Sequence, residues 1–143
     1  MNKITSEWID AYRRNRGPTG NDCALNEIFH VWMHLPGANA SLLISKADQL
    51  LDEGAQWDGE QMLFHVAGGS IHSCTEPKSI DEVMLRYLHD RGVDLGPLRE
   101  HAMECGGVTY QAEWFAVMDR AECAGRLQAA TVEAPAPARV GRL

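Results

Sequence analysis

Apolar residues recur along most of the chain at the three- and four-residue spacing of a helix buried on one side. Thr5 and Ser6 precede Trp8, Ile9 and Tyr12, which reads as a capped helix start. That helix runs out in Arg13-Arg14-Asn15-Arg16, where cations complement the negative helix end, before the breaker Gly17-Pro18-Thr19-Gly20. Leu25, Ile28, Phe29 and Trp32 form a helical stripe, predicting a second helix from near Asp22 to Leu35, stopped by Pro36-Gly37. A third, from near Ala40 to Glu53, carries Leu43, Ala47, Leu50 and Leu51 and closes at Gly54. A short helix over Met62–Ala67 is expected to end at Gly68-Gly69. A polar loop follows, and Ser79-Ile80-Asp81-Glu82 then reads as a capping box. The helix it opens carries Val83, Met84, Tyr87 and Leu88 and ends at Arg91-Gly92. A further helix holds Leu98, His101, Ala102 and Cys105. The last runs from near Tyr110 to Arg126, with Trp114, Phe115, Val117 and Met118 on its apolar face. The predicted class is all-α.

These elements repeat. Ile28-Phe29-His30-Val31-Trp32 corresponds to Leu63-Phe64-His65-Val66-Ala67, and more loosely to Arg99-Glu100-His101-Ala102-Met103, with the histidines about 35 residues apart. Leu50-Leu51-Asp52-Glu53-Gly54-Ala55-Gln56-Trp57 matches Tyr87 to Leu95 with one residue of slippage, and Val117–Ala121 is a degenerate third copy. The unit is an antiparallel helix pair with Gly54 or Gly92 ending its second helix. One pair cannot bury its own apolar faces, so stacking is required. The predicted layout is a capping helix over 1–20, a helical repeat domain over 21–128 and a disordered Ala/Pro tail over 129–143, where the composition shifts to Ala-Pro-Ala-Pro-Ala.

Over roughly residues 22–126 these motifs resemble the ankyrin repeat family. Phe64-His65-Val66-Ala67 is similar to the Leu-His-x-Ala portion of that family's first-helix motif. Leu50-Leu51-Asp52-Glu53-Gly54-Ala55 and Leu88 to Asp94 are similar to its glycine turn. Met62 and Leu63 stand where the family has Thr-Pro, and the segment Gly68–Lys78 is longer than the family's loop. The resemblance implies a short solenoid used for protein recognition, in which turns and first helices form the contact surface. It also implies structural roles for His30, His65 and His101, each bonding backbone of the adjacent unit. By position the contact residues are Trp57, Asp58, Glu60 and Gln61 from one turn, and Asp94, Leu95 and Arg99 from the next. Trp57 is the candidate anchor, or else folds back over the edge of the stack.

Composition adds limits. The 143 residues are 45% hydrophobic and 23% charged, as in an ordinary globular domain. No apolar run is long enough to span a bilayer, and the N-terminus lacks a signal-peptide core. Four cysteines without a C-x-x-C pair predict reduced, mostly buried thiols and a cytoplasmic setting. With 13 Lys+Arg against 20 Asp+Glu the net charge is −7, which argues against direct nucleic-acid binding. Asp48, Asp52, Glu53, Asp58 and Glu60 form an acid run without an intervening cation, and a face of that sign steers a basic partner. Arg13, Arg14 and Arg16 make a small basic cluster at the other end.

Linear motifs for catalysis are missing: there is no P-loop, G-x-G-x-x-G, H-E-x-x-H or G-x-S-x-G, and Gly68-Gly69-Ser70-Ile71-His72 follows no strand. His30/His34 and His101/Cys105 have metal-compatible spacing without an evident third ligand, and Glu27-x-x-His30 is half of a di-iron element. The expectation is a non-enzymatic binding protein without metal or cofactor that masks a partner, as an inhibitor, immunity protein or adaptor. Its sharper form is a mobile-element inhibitor whose acidic face covers the groove of a host defence nuclease such as a CRISPR effector. The alternative is a helical metalloprotein or small enzyme using His30, His34 and nearby acids. A structural subunit of a larger assembly is a third possibility.

Overall fold

The computed structural model describes residues 4–105 and 109–133, with side chains through 104 and from 109 to 123. All seven long elements among the described residues are helices: α1 (Ser6–Asn15), α2 (Gly20–His30), α3 (Ala40–Asp52), α4 (Gly59–His72), α5 (Ser79–Asp90), α6 (Gly96–Cys105) and α7 (Gln111–Glu133). Helices α2, α4 and α6 pack side by side in one row, and α3, α5 and α7 in a second; α1 lies against α2. Across the rows α2 meets α3, α4 meets α5 and α6 meets α7. The core runs between the rows, through Leu25, Ile28 and Phe29 of α2, Leu43 and Leu50 of α3, Leu63 and Val66 of α4, Met84 and Leu88 of α5, Leu98 of α6, and Trp114 and Met118 of α7.

Local chemistry sets the ends. The Thr5 hydroxyl accepts from the Trp8 N–H at 3.1 Å, and the Asn39 side chain accepts from the Leu42 N–H at 3.1 Å, capping α1 and α3. Helix α3 closes with two backward bonds: Gly54 N–H to Leu51 O at 3.0 Å and Ala55 N–H to Leu50 O at 2.9 Å. Helix α5 closes the same way, with Gly92 N–H to His89 O at 2.9 Å and Val93 N–H to Leu88 O at 3.0 Å. Both glycines are left-handed, at φ 99° and 93°, as this helix stop demands. Leu50 and Leu88 therefore hold equivalent places, so the two turns match without slippage.

Four expectations about the elements need correction. The second helix ends at His30, not Leu35: Val31 breaks it, and a tight 3₁₀ turn, Trp32–His34, buries both Trp32 and Met33. That turn also brings Trp32 to 5.1 Å from the rings of Trp8 and Tyr12. The fourth helix does not end at Gly68-Gly69 but runs on to His72, because packing overrides the glycine penalty. Its stop is again two backward bonds, from Cys74 and Thr75 to Ile71 and Ser70, with Cys74 taking the left-handed position at φ 56°. The expected tail start is helical through Glu133, within α7; residues 134–143, the rest of the predicted tail, lie outside the described residues.

The predicted box at Ser79 sits one residue earlier. Helix α5 is capped at Lys78, whose backbone N–H donates to Asp81 Oδ2 at 2.9 Å. A lysine side chain has no acceptor, so only this half of the box exists. Asp81 is 3% exposed. Burial pushes its carboxyl above the usual range, although the Lys78 N–H pulls the other way. A raised carboxyl holds its proton more tightly folded than unfolded, so its ionisation removes stability as pH climbs above the ordinary value near 3.8. Asp81→Asn, which keeps the acceptor and drops the charge, is expected to match or exceed wild-type stability at pH 7. Asp81→Ala is expected to lose about 1 kcal/mol with the cap. Urea unfolding distinguishes them: equal losses in both variants would show that the charge itself is needed.

Candidate functional site

The turns after α3 and α5, residues 53–58 and 91–95, follow equivalent helix stops. Between them stands Trp57, half-buried, with its ring edge-to-face on Phe29 at 5.7 Å. Trp57 is thus partly packed against the core. One of its flanks still lines a cleft of about 250 Å³ with Asp22, Asn26, Gln56, Asp58 and Gln61. The other lines a cleft of about 400 Å³ with Glu60, Arg91, Val93, Asp94 and Pro97. Leu95, at the place in its turn that Trp57 holds in the first, is 0% exposed. It is a core residue and drops out of the predicted contact set, because the apolar position of this turn points inward.

The other predicted contact residues divide by what holds them. Asp58 caps α4, accepting from the Gln61 N–H at 3.1 Å, and Asp94 accepts from the Gly96 N–H at 2.9 Å. Both keep an exposed carboxylate at the clefts. Asp52, Glu60 and Gln61 are exposed. Arg99 is engaged elsewhere: its guanidinium bonds Asp119 at 2.8 Å and Glu122 at 2.5 Å, tying α6 to α7.

The acid run is less uniform in space than along the chain. Asp48 accepts from the Tyr87 hydroxyl and from Arg91, both at 2.6 Å. Burial opposes its ionisation, but those two bonds hold it below the usual carboxylate range, while burial and Asp48 push the Tyr87 phenol up. Glu53 accepts from Arg13 at 2.5 Å and from Gln49 at 3.0 Å, and Gln49 and then Arg13 hold its carboxyl down. Arg13 also meets Asp10 at 3.2 Å, and Asp10 is held down first by Lys46, whose ammonium lies 2.9 Å away. Two of the five acids thus find cations from distant parts of the chain.

The histidines also depart from expectation. His101 Nε2 lies 3.1 Å from Gly68 O, a contact with the backbone of α4. His65 instead meets a side chain, Asn26 Oδ1, at 3.1 Å. His30 is exposed and stacks on His65, and the backbone contact at that seam comes from His34, whose Nε2 lies 2.9 Å from His65 O. His30 stands one turn beyond the place that His65 and His101 hold in their helices. No group of three or more His, Cys, Asp or Glu among the described residues converges to hold a metal. Cys23 and Cys74 are half-buried free thiols and Cys123 is an exposed one, so the expected burial does not hold for these three; the side chain of Cys105 lies outside the described residues.

One feature escapes the periodicity. Ile4, Trp32, Leu35, Pro36, Ala38 and Leu42 line an apolar groove of about 590 Å³ beside α1. Trp8, 41% exposed, stands against Trp32 nearby. The signal was Leu35-Pro36 beyond the helix stop, which reads as punctuation rather than surface. No helix among the described residues is long and apolar enough to cross a membrane. No family model, curated protein or solved structure matches the chain.

Proposed function

We propose that the chain is a non-catalytic protein-binding module: a short solenoid of ankyrin-like helix pairs, α2/α3, α4/α5 and α6/α7, with α1 as cap. It works in the cytoplasm by occupying a partner's basic surface. The observation that carries this reading is the matched pair of glycine-stopped turns at Gly54 and Gly92, which flank two clefts rimmed by exposed acids. Side-by-side packing of α2, α4 and α6, and of α3, α5 and α7, supports the repeat. The contact set is Asp52, Asp58, Glu60, Gln61 and Asp94 with the flanks of Trp57. Glu53 and Arg99 serve internal ion pairs first. In its sharper form the partner is a host defence nuclease such as a CRISPR effector, whose cationic nucleic-acid groove the acids cover. Net charge −7 supports steering of a basic partner and opposes direct nucleic-acid binding.

The test uses the tagged full chain as bait and the captured partner in a salt titration. Asp52→Lys with Glu60→Lys reverses two exposed acids that cap no helix. The double variant is expected to keep its fold and weaken binding about tenfold at low salt. Binding unchanged by the double variant and by ~0.5 M salt would remove the charge-steered reading.

A further inference from the structure

Five of the six histidines stand along the row α2–α4–α6: His30 at the end of α2, His34 in the 3₁₀ turn beyond it, His65 and His72 on α4, and His101 on α6. They meet across helix seams rather than within helices. At the α2–α4 seam the rings of His30 and His65 stack with centroids 4.2 Å apart and planes 15° from parallel. The same seam carries the contacts from His65 Nε2 to Asn26 Oδ1 at 3.1 Å and from His34 Nε2 to His65 O at 2.9 Å. At the α4–α6 seam the closest pair, His72 and His101, is 6.4 Å apart.

A neutral imidazole stack is a favourable flat contact, and one proton on it is tolerable because a cation sits well against a neutral ring. A second proton sets two positive charges about 4 Å apart in a partly desolvated seam, where the repulsion is several times that in water. The groups facing His65 from α2 and its 3₁₀ turn are Glu27, His30 and His34; only Glu27 favours a charged ring. From α5, Asp81 faces His34. From α6, His101 reaches Gly68 O and the Phe64 edge rather than His65. Glu27 alone faces His65, and Asp81 faces His34 instead, so the doubly protonated pair of His30 and His65 is not neutralised.

We propose that the α2–α4 seam is a proton-sensitive joint, closed while His30 and His65 share at most one proton and loosened when both are charged. It lets the first helix pair part from the rest of the stack at mildly acidic pH, and it does not depend on the binding reading. Burial first, and His30 second, also press the His65 ring toward its neutral form. A depressed histidine contributes stability that is present above the unfolded value near 6.5 and is lost as pH falls toward the folded value.

The experiment is an NMR titration of the histidine ring signals in the full chain, with amide hydrogen exchange of α4 at pH 7.5 and 5.5 corrected for intrinsic rates. The His65 ring is expected to titrate below 6.5. His30→Gln, at an exposed position, is expected to raise the His65 step. Opening of α4 is expected to grow from pH 7.5 to 5.5, by about tenfold for each pH unit of depression crossed. A His65 step that ignores His30→Gln, or equal opening of α4 at the two pH values, would overturn the proposal. Should the variant fail to fold, the wild-type exchange comparison still decides.

Discussion

Gly20→Ala is expected to cost about 3 kcal/mol, a large part of the stability of a domain this size. The backbone of Gly20 is ordinary helix, at φ −59° and ψ −39°, so conformational freedom is not what the position needs. It needs space. A Cβ there would lie 1.9 Å from the carbonyl oxygen of Arg13, a backbone atom at the end of α1 that cannot swing aside. The two helices would have to part. That would pull on Arg13, whose guanidinium links Asp10 of α1, Asn21 of α2 and Glu53 beyond α3. Gly69 is the matched control: it lies within α4, is exposed, and a Cβ there meets nothing within 4 Å. Gly69→Ala is expected to gain about 0.5–1 kcal/mol from helix propensity alone. Urea unfolding of both variants gives opposite signs on this account. A Gly20→Ala loss below about 1 kcal/mol would mean that α1 packs differently.

The second large effect belongs to Trp114. It is 1% exposed on α7, and its indole N–H donates to the Thr75 carbonyl at 2.8 Å. The side chain therefore fills the core between α5 and α7 and also pins the connection between α4 and α5. Trp114→Ala is expected to cost about 4 kcal/mol, the range for deleting a buried aromatic. Trp114→Phe keeps most of the apolar volume and leaves the Thr75 carbonyl without its donor, for a loss of about 1–2 kcal/mol. Chemical denaturation ranks the two. Equal small losses would place Trp114 at an exposed edge.

Helix existence was legible from apolar spacing, since one stripe per element meets the neighbouring row. Leu25, Ile28 and Phe29 are buried as the stripe requires, and Trp32 is buried from the 3₁₀ turn beyond it. The glycine turns were legible too, because Gly54 and Gly92 follow matching leucines and take the left-handed conformation. Boundaries failed where tertiary contacts outweighed local preference. Gly68 reads as a stop, yet it is buried inside α4, where a Cβ would sit 2.8 Å from Phe64, and its carbonyl meets His101. The candidate surface was legible only by position. Spacing cannot say that the apolar place in the second turn faces inward, as Leu95 does. Nor can it bring Arg13 to Glu53 or Arg91 to Asp48, pairs about 40 residues apart that remove two acids from an apparently unopposed run. The histidine spacing was real but misleading at one end: His30 pairs with His65 by its ring, while Asn26 holds the equivalent helix place.

The claim beneath the rest is that helix pairs line up in sequence order, each touching only the next. Methyl NOEs on the full chain test it most directly. The account predicts contacts from α2 to α4 and from α4 to α6, with none joining Leu25 or Ile28 of α2 to Leu98 of α6. Strong NOEs between α2 and α6 would mean a closed bundle, and with it the loss of the paired turns as a shared surface.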